Sequence, residues 1–326
     1  MRAVVLTATD TPLTVVDDHP EPTGDGGELI DVTACGVCHS DIHVVDGDFG
    51  SALPMILGHE VTGVHAELGP VMVYAPWGCQ SCPQCDDGLE MMCANATEAG
   101  LFTDGGYAER MWVKDRRYLA PLDGLDPVAA APLACGGLTA YRAVKHTVGV
   151  LRDRTGGGRA LVVGAGGLGQ YAIRSLRLLT GAHVTALDTA AAKRETALSI
   201  GADAAIGPGD DAEPFDVVLD FIGADVTLEG AVRRVARRGL VVVVGLAGGR
   251  VPFGFGAVPH EARLMSSVWG SRDELDELLA FARREPELVQ PVESMPLDDA
   301  QLAHERLRAG DVRGRLVLLP AATSAP

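Results

Sequence analysis

Hydrophobic and polar positions follow different patterns in two parts of the chain. Residues 1–60 contain short β-rich runs separated by turns, such as Ala3–Leu6 and Glu28–Thr33, and a further strand is expected near Ala108–Val113. From about Gly137 onward, apolar runs of strand length alternate with helices of apolar periodicity. This alternation indicates a parallel sheet that is covered by helices on both faces.

The second pattern predicts one domain inserted into another. Its strands are expected at residues 160–163, 183–187, 217–221, 240–244 and 265–268, and its helices at residues 168–180, 191–200 and 231–237. After Trp269, a helix at 274–284 and a final strand at 316–319 are expected to return the chain to the first domain. The sequence thus predicts one domain at residues 1–136 and 270–326 and an inserted α/β domain at residues 137–269. The tail, residues 321–326, is expected to be unstructured.

Composition and charge narrow the classes of function. The chain has 326 residues, is 47% hydrophobic and contains 40 glycines, as is typical of a packed α/β enzyme. Its net charge of −17 argues against a nucleic-acid partner, because phosphates would be repelled. No apolar run approaches the roughly 20 residues of a membrane span, and no signal peptide is apparent. We therefore expect a cytoplasmic protein with no membrane partner.

Four closely spaced cysteines predict a structural metal site. Cys79, Cys82, Cys85 and Cys93 lie in a lobe at residues 77–95. Four thiolates can surround one tetrahedral zinc ion and leave no open position. Two disulfides are the alternative, but they suit small secreted domains better than a chain of this size.

A glycine-rich turn predicts a dinucleotide site. Gly164-Ala165-Gly166-Gly167-Leu168-Gly169 lies between a predicted strand and a predicted helix, and Asp188 ends the next strand. In that context the glycines allow a tight turn and close approach of the backbone to a pyrophosphate. Asp188 would bind the adenosine ribose and repel a 2′-phosphate, so we predict NAD over NADP. Asp188 as a helix cap is the alternative, and Lys193 and Arg194 leave room for NADP.

Cys38, His59 and Cys135 are candidates for a second metal site. Two thiolates and one imidazole would leave the fourth zinc position open, which is the catalytic arrangement. Each residue taken alone could equally be a buried core residue, and their spacing does not join them.

The chain resembles the zinc-dependent alcohol dehydrogenases of the medium-chain dehydrogenase/reductase superfamily over nearly its whole length. The matching motifs are, in order, residues 36–41 (GVCHSD), 58–60 (GHE), the four-cysteine lobe, 132–139 (PLACGGLT) and the glycine turn. Residues 75–79 (APWGC) and 268–272 (VWGSR) are especially similar to bacterial NAD-dependent secondary-alcohol dehydrogenases. The resemblance implies a GroES-like β-barrel catalytic domain, an inserted doubly wound Rossmann domain, and a homodimer or homotetramer.

The resemblance also implies roles for individual metal-site residues. It makes Cys38, His59 and Cys135 the catalytic zinc ligands and the four lobe cysteines the structural zinc ligands, which gives two zinc ions per chain. Glu60 matches a carboxylate beside the metal, and Asp41 matches the acceptor that orients His59. Cys35 is then interpreted as a core thiol at a strand end, although its spacing from Cys38 would also allow a redox pair.

Further residues are expected to handle the proton, the cofactor and the substrate. Ser40 and His43 match a proton relay, though His43 could instead be an ordinary surface histidine. Ser40 and Trp269 are expected to line a pocket for a fairly apolar alcohol or carbonyl compound, with simple packing as the alternative for Trp269. Cofactor contacts are expected at Thr139, Asp188, Lys193, Gly245 and, with the pyrophosphate, Arg315.

One departure from the family pattern leaves alternatives open. Only residues 60–78 separate His59 from Cys79, a shorter connection than in relatives, so a strand or hairpin must be shortened. We expect a trimmed surface hairpin, because every motif survives on both sides of the gap. The alternatives are a displaced His59 in a catalytically impaired dinucleotide-binding protein, a zinc-free quinone or enoyl reductase, and a sugar or polyol dehydrogenase.

Overall fold

The computed structural model describes residues 1–320 and divides the chain into two compact units. The composite unit consists of Met1–Gly136 and the chain from Gly270 onward, and the inserted unit is Gly137–Trp269. The tail at 321–326, which was expected to be unstructured, lies outside the described residues.

The first part of the composite unit is mainly β-structure. Its elements are β1 (Ala3–Leu6), β2 (Thr14–Val16), β3 (Glu28–Gly36), α1 (His39–Val45), β4 (Met55–Ile56), β5 (Glu60–His65), β6 (Gly69–Val73), β7 (Pro76–Trp77), α2 (Pro83–Asp86), β8 (Thr97–Glu98), β9 (Arg110–Val113), β10 (Leu119–Pro121) and α3 (Pro127–Ala130). Most of these strands are short, as expected from the turn-rich sequence.

The inserted unit is a parallel sheet with helices. Its elements are α4 (Gly136–Arg152), which begins at the last residue of the composite unit, β11 (Arg159–Val163), α5 (Gly167–Leu179), β12 (His183–Leu187), α6 (Ala191–Ser199), β13 (Ala204–Ile206), β14 (Phe215–Asp220), α7 (Asp225–Arg234), β15 (Val235–Val243) and β16 (Arg263–Ser266). The strand order is β13-β12-β11-β14-β15-β16, with every pair parallel. The alternating pattern predicted this parallel sheet, and its strand order is that of the doubly wound domain that the resemblance implied.

The chain then returns to the composite unit through α8 (Arg272–Arg284), β17 (Val292–Pro296), α9 (Ala300–Ala309) and β18 (Arg315–Leu319). A capping box begins α8: Ser271 Oγ accepts from the Glu274 amide at 3.1 Å, and Glu274 accepts from the Ser271 amide at 2.9 Å. Strand β18 pairs with β3, so the larger sheet of this unit runs β10-β6-β5-β3-β18-β17, with β9 also on β3. The smaller sheet is β2-β1-β4.

The predicted helix at 231–237 is wrong in its second half. Helix α7 ends at Arg234, and Val235 begins β15, where it pairs with Phe215 of β14. The basic and apolar spacing of residues 231–237 suits a helix, but pairing within the buried sheet prevails over that local preference. Strands β17 and β13 and helix α9 were not predicted, since their short sequences carry weak periodicity.

The shortened connection after His59 forms a tight hairpin. Strands β5 and β6 pair antiparallel from Thr62 opposite Met72 to His65 opposite Gly69. The ring of His65 closes the turn, because its Nδ1 accepts from the amides of Glu67 and Leu68 at 3.3 and 3.1 Å. The short connection between His59 and Cys79 therefore contains an intact antiparallel hairpin.

Candidate functional site

Cys38, His59 and Cys135 come together inside the composite unit. Cys38 precedes α1, His59 precedes β5, and Cys135 follows the turn after α3. One ligand atom from each of them, and a carboxylate oxygen of Glu60, all lie within 4.8 Å of one another, and all four residues are buried. The shortened hairpin therefore leaves His59 beside both thiols. Two sulfurs and an imidazole at this separation suit a zinc ion with an open position.

Asp41 holds His59 in one orientation. Its Oδ1 accepts from His59 Nδ1 at 2.9 Å, and its Oδ2 accepts from the Cys38 amide at 2.8 Å. Since an ionised carboxylate can only accept, the hydrogen of His59 is on Nδ1, and Nε2 is the nitrogen left for a metal.

The two thiols of this cluster shift each other's pKa in opposite directions. The hydrogen bond from Cys135, with His59 nearby, holds the pKa of Cys38 well below its usual value. Cys135, as the donor to Cys38 in a buried place, has its pKa raised. One thiolate is therefore already favoured in the protein alone, as a metal ligand requires.

Glu60 is buried beside the ligands and paired with Arg315. Burial raises the pKa of Glu60 to about 7, against the attraction of the Arg315 guanidinium, which contacts both carboxylate oxygens. The Gly136 amide also donates to Glu60 at 3.1 Å. Arg315, for which a pyrophosphate contact is expected, is thus held by Glu60 and is 5% exposed.

Ser40 and His43 lie one turn apart on α1. Ser40 Oγ is 3.9 Å from Cys38 Sγ, so its hydroxyl adjoins the cluster. His43 is partly exposed, and its Nδ1 lies 2.7 Å from Asp48 Oδ2. Asp48, for which no sequence motif indicated a role, therefore fixes the hydrogen on Nδ1 and leaves Nε2 as the basic atom.

The four lobe cysteines form a second cluster, again within 4.8 Å of one another. All seven cysteines of the chain are free thiols, so the disulfide alternative is wrong for this structure. The sulfurs of Cys82 and Cys93 are 3.7 Å apart, close to the roughly 3.8 Å expected for two thiolates on one tetrahedral zinc. A hydrogen bond from Ser81 lowers the pKa of Cys79 to about 6, which favours the thiolate form.

The glycine turn of the inserted unit joins β11 to α5 as predicted. Gly164 has φ +87°, which side chains rarely adopt, and a Cβ on Gly169 would lie 1.9 Å from the Gly164 carbonyl oxygen. By contrast, a Cβ on Gly166 would meet no atom within 4 Å. The turn is therefore tight on the strand side and open at the helix N-terminus, where a pyrophosphate would bind.

Asp188 links this turn to the next strand. Its Oδ2 accepts from the Ala165 amide and its Oδ1 from the Ala190 amide, both at 2.9 Å. The Asp188 carboxylate therefore contacts the glycine turn as well as the backbone just before α6. Arg194 donates to the backbone carbonyls of Asp188 and Thr189 at 2.8 and 2.9 Å.

The remaining predicted cofactor and substrate residues lie in the inserted unit. Thr139 and Trp269 are buried, and Lys193 and Gly245 are partly buried. The backbone conformation of Trp269 is left-handed, with φ 46°. Gly245 donates its amide to the Asp220 carbonyl at 3.1 Å, at the carboxyl end of β14.

Known families match both units. Residues 24–124 match the family described as alcohol dehydrogenase GroES-like domain, and residues 167–284 match the family described as zinc-binding dehydrogenase. D-arabinose 1-dehydrogenase (NADP(+)) of Saccharolobus solfataricus is 32% identical, with 98% of this chain and 97% of that protein covered. An NAD-dependent alcohol dehydrogenase of Sulfolobus acidocaldarius is 30% identical, with 98% and 99% covered. The crystal structure of the alcohol dehydrogenase from Aeropyrum pernix superposes with a TM-score of 0.88 at 31% identity, covering 98% of this chain and 100% of that one.

Proposed function

The chain belongs to the zinc-binding alcohol dehydrogenase family, with a GroES-like and a Rossmann-type domain, and is an oxidoreductase of alcohols and aldehydes; from that premise we propose that Cys38, His59 and Cys135 hold its catalytic zinc. The observation that carries this proposal is the buried convergence of two thiol sulfurs and an imidazole from three separate elements. A zinc-free quinone or enoyl reductase would not require two thiols and an imidazole at one place.

Zinc at this position would polarise the oxygen of an alcohol or carbonyl, and a nicotinamide dinucleotide would exchange the hydride. The protein's own residues have three tasks. Asp41 orients His59. Ser40 Oγ takes up the alcohol proton as it passes on its own hydroxyl hydrogen, and His43 Nε2 takes up a proton from this relay and releases it to solvent. Glu60, neutralised by Arg315, limits the negative charge beside the two thiolates.

We propose that the lobe cysteines hold a second, structural zinc, which gives two zinc ions per chain. Four thiolates leave no open position for substrate, so this ion would stabilise the lobe without taking part in the reaction. The seven free thiols also fit a reducing compartment, and on that ground we propose a cytoplasmic location.

NAD is the proposed cofactor in preference to NADP. Asp188 places a negative charge beside the glycine turn, where it suits ribose hydroxyls and repels a 2′-phosphate. The guanidinium of Arg194, one of the two candidates for a phosphate partner, already binds two carbonyls. One relative is named as an NADP(+)-dependent dehydrogenase, so the preference of this chain for NAD over NADP has to be measured directly.

The proposed substrates are primary or secondary alcohols of fairly low polarity. Trp269 supports this proposal as a large apolar ring at the end of the inserted unit. The physiological substrate is to be sought with a panel of alcohols and ketones that includes sugars and polyols, each assayed with NAD(H) and NADP(H).

The expected outcome of the panel is a kcat/KM at least tenfold higher with NAD than with NADP. Asp188→Ser should narrow that ratio, because it removes the charge that repels the 2′-phosphate. A wild-type preference for NADPH would contradict the cofactor proposal but leave the metal site unaffected.

A homo-oligomer is the proposed assembly. In the inserted unit, β16 is the edge strand of the sheet, and the loop before it exposes Phe253 and Phe255 at 70% and 100%. A strand at one end of the described sheet, preceded by a loop with exposed aromatic rings, fits association with a second copy of the chain.

A further inference from the structure

Beyond His59, the hydrogen bonds of Asp41 continue into the protein. The Tyr107 hydroxyl lies 3.1 Å from Asp41 Oδ2 and is completely buried, as is Asp41. Asp41 therefore accepts three hydrogen bonds, from His59, the Cys38 amide and Tyr107. Tyr107 lies just before β9, far from the metal-ligand motifs in sequence.

His304 is the next member of this chain of hydrogen bonds. Its Nε2 lies 3.1 Å from the Tyr107 hydroxyl oxygen, and the two rings meet edge to face at 5.8 Å. His304 is on α9 and 3% exposed. Helix α9 is in turn fixed to α1 by the pair of Arg308 with Asp46.

The direction of each hydrogen bond follows from its acceptor. Asp41 can only accept, so Tyr107 gives its single hydroxyl hydrogen to Asp41 and must accept from His304. His304 therefore carries its hydrogen on Nε2. Burial raises the pKa of Tyr107 and lowers that of His304, so the tyrosine keeps its hydrogen and the histidine is neutral near pH 7.

We propose that Tyr107 and His304 are positioning residues for the catalytic metal. They hold Asp41 so that His59 keeps its hydrogen on Nδ1 and presents Nε2 beside the two thiols. This inference rests on the proposed function only in taking His59 as a metal ligand. A phenylalanine at 107 would fill the same space, so the hydroxyl, whose two hydrogen bonds both belong to this network, is the part that acts.

The test is zinc affinity, measured by chelator competition on the full-length, zinc-loaded protein. Tyr107→Phe should bind the catalytic zinc about tenfold more weakly than wild type, the lower end of the range for loss of a direct partner of a metal ligand, because Tyr107 acts one hydrogen bond further out. Tyr74→Phe is the matched control, because Tyr74 is equally buried and its hydroxyl donates to the Gly270 carbonyl, 2.7 Å away. It should keep wild-type affinity. Repeating both variants in a Cys135→Ser background assigns the remaining zinc to the lobe.

Two His304 variants provide an independent measurement. His304→Leu removes the donor to Tyr107 and should reproduce the loss, whereas His304→Gln supplies an N–H and should recover most of the affinity. Wild-type affinity in Tyr107→Phe and His304→Leu, or equal affinity in the Leu and Gln variants, would overturn the proposal. If Tyr107→Phe does not fold, the His304 pair decides by the same criterion. A wild-type protein that holds zinc only in the lobe would instead contradict the proposed function.

Discussion

At the scale of single residues, the buried charge next to the metal ligands is the main energetic risk in this structure. Glu60 has no exposed surface, and the guanidinium of Arg315, 5% exposed, offsets its charge. The two residues come from β5 and β18, so one ion pair joins the N-terminal part of the composite unit to its C-terminal return. Loss of either partner leaves a buried charge without compensation.

Arg315→Met should therefore lower the free energy of unfolding by about 3–5 kcal/mol, as for other buried pairs that lose one partner. Arg308→Met is the matched control, because Arg308 also pairs with a carboxylate of the N-terminal part, but both side chains are a third or more exposed. It should cost about 1 kcal/mol or less. Chemical denaturation of the zinc-loaded proteins measures both, and similar costs for the two variants would contradict this account.

His304 should make stability depend on pH. Burial lowers its pKa in the folded protein, with Asp41 and Asp46 opposing the shift and Arg308 adding to it. Below about pH 6.5 the unfolded chain binds a proton that the folded chain does not, so stability falls as the pH falls.

The free energy of unfolding of His304→Gln should therefore fall less steeply than that of wild type as the pH falls from about 6.5 to 5. The two slopes should differ by at most about 1.4 kcal/mol per pH unit. His183→Gln, at an exposed position, should follow wild type. Thermal or urea unfolding across this range measures the difference. Parallel profiles for wild type and His304→Gln would show that the ring is not neutral in the fold.

The sequence alone could predict a shared site only for residues that lie close together along the chain. The four lobe cysteines are close enough in sequence for their spacing alone to indicate a metal. Cys38, His59 and Cys135 come from three elements, and only family resemblance joined them before the fold was known. Tyr107 and His304 had no signal at all, since they meet only where α9 packs against the segment before β9.

At the scale of elements, the lobe and the β5–β6 hairpin show how local chemistry replaces regular structure. The lobe, residues 77–95, contains one four-residue helix and one short turn of helix, and the two-residue strands β7 and β8 border it. Such a segment buries little apolar surface, so we expect the metal to supply much of its stability. The β5–β6 hairpin is instead closed by the His65 ring. The sequence indicated that this connection is short, but it did not indicate which residues of β5 and β6 pair with each other.

Cys82→Ala should remove one zinc ion per chain and lower the thermal stability. The zinc ion held by Cys38, His59 and Cys135 should remain bound. A structural site stabilises only the folded lobe, so the expected effect is earlier proteolysis between residues 77 and 95 and a lower Tm. Elemental analysis and limited proteolysis measure both effects. Unchanged zinc content would refute the structural site.

At the scale of the whole molecule, the two units contribute separate chemistry. The composite unit contains both cysteine clusters, and the inserted unit contains the glycine turn, Asp188 and the edge strand β16. The alternation of strands and helices predicted this division because each domain type has its own periodicity. The described residues contain no helix long and apolar enough to cross a membrane.

The exposed rings beside β16 should control assembly. Wild type should sediment as a dimer or tetramer, and Phe253→Asp with Phe255→Asp should shift it toward the monomer, because charge at the rings opposes burial. Leu302→Ser, at a 48% exposed residue of the composite unit, is the control and should leave the assembly unchanged. A monomeric wild type, or a double variant that assembles normally, would contradict the proposed assembly.

The central claim is that Cys38, His59 and Cys135 bind one catalytic zinc, and the zinc content of Cys38→Ala tests it most directly. Wild type should contain two zinc ions per chain and oxidise alcohols with NAD, whereas Cys38→Ala should contain one, bind NAD normally and lose turnover. If Cys38→Ala retains both zinc ions, or the zinc-free wild type retains its activity, the account is wrong.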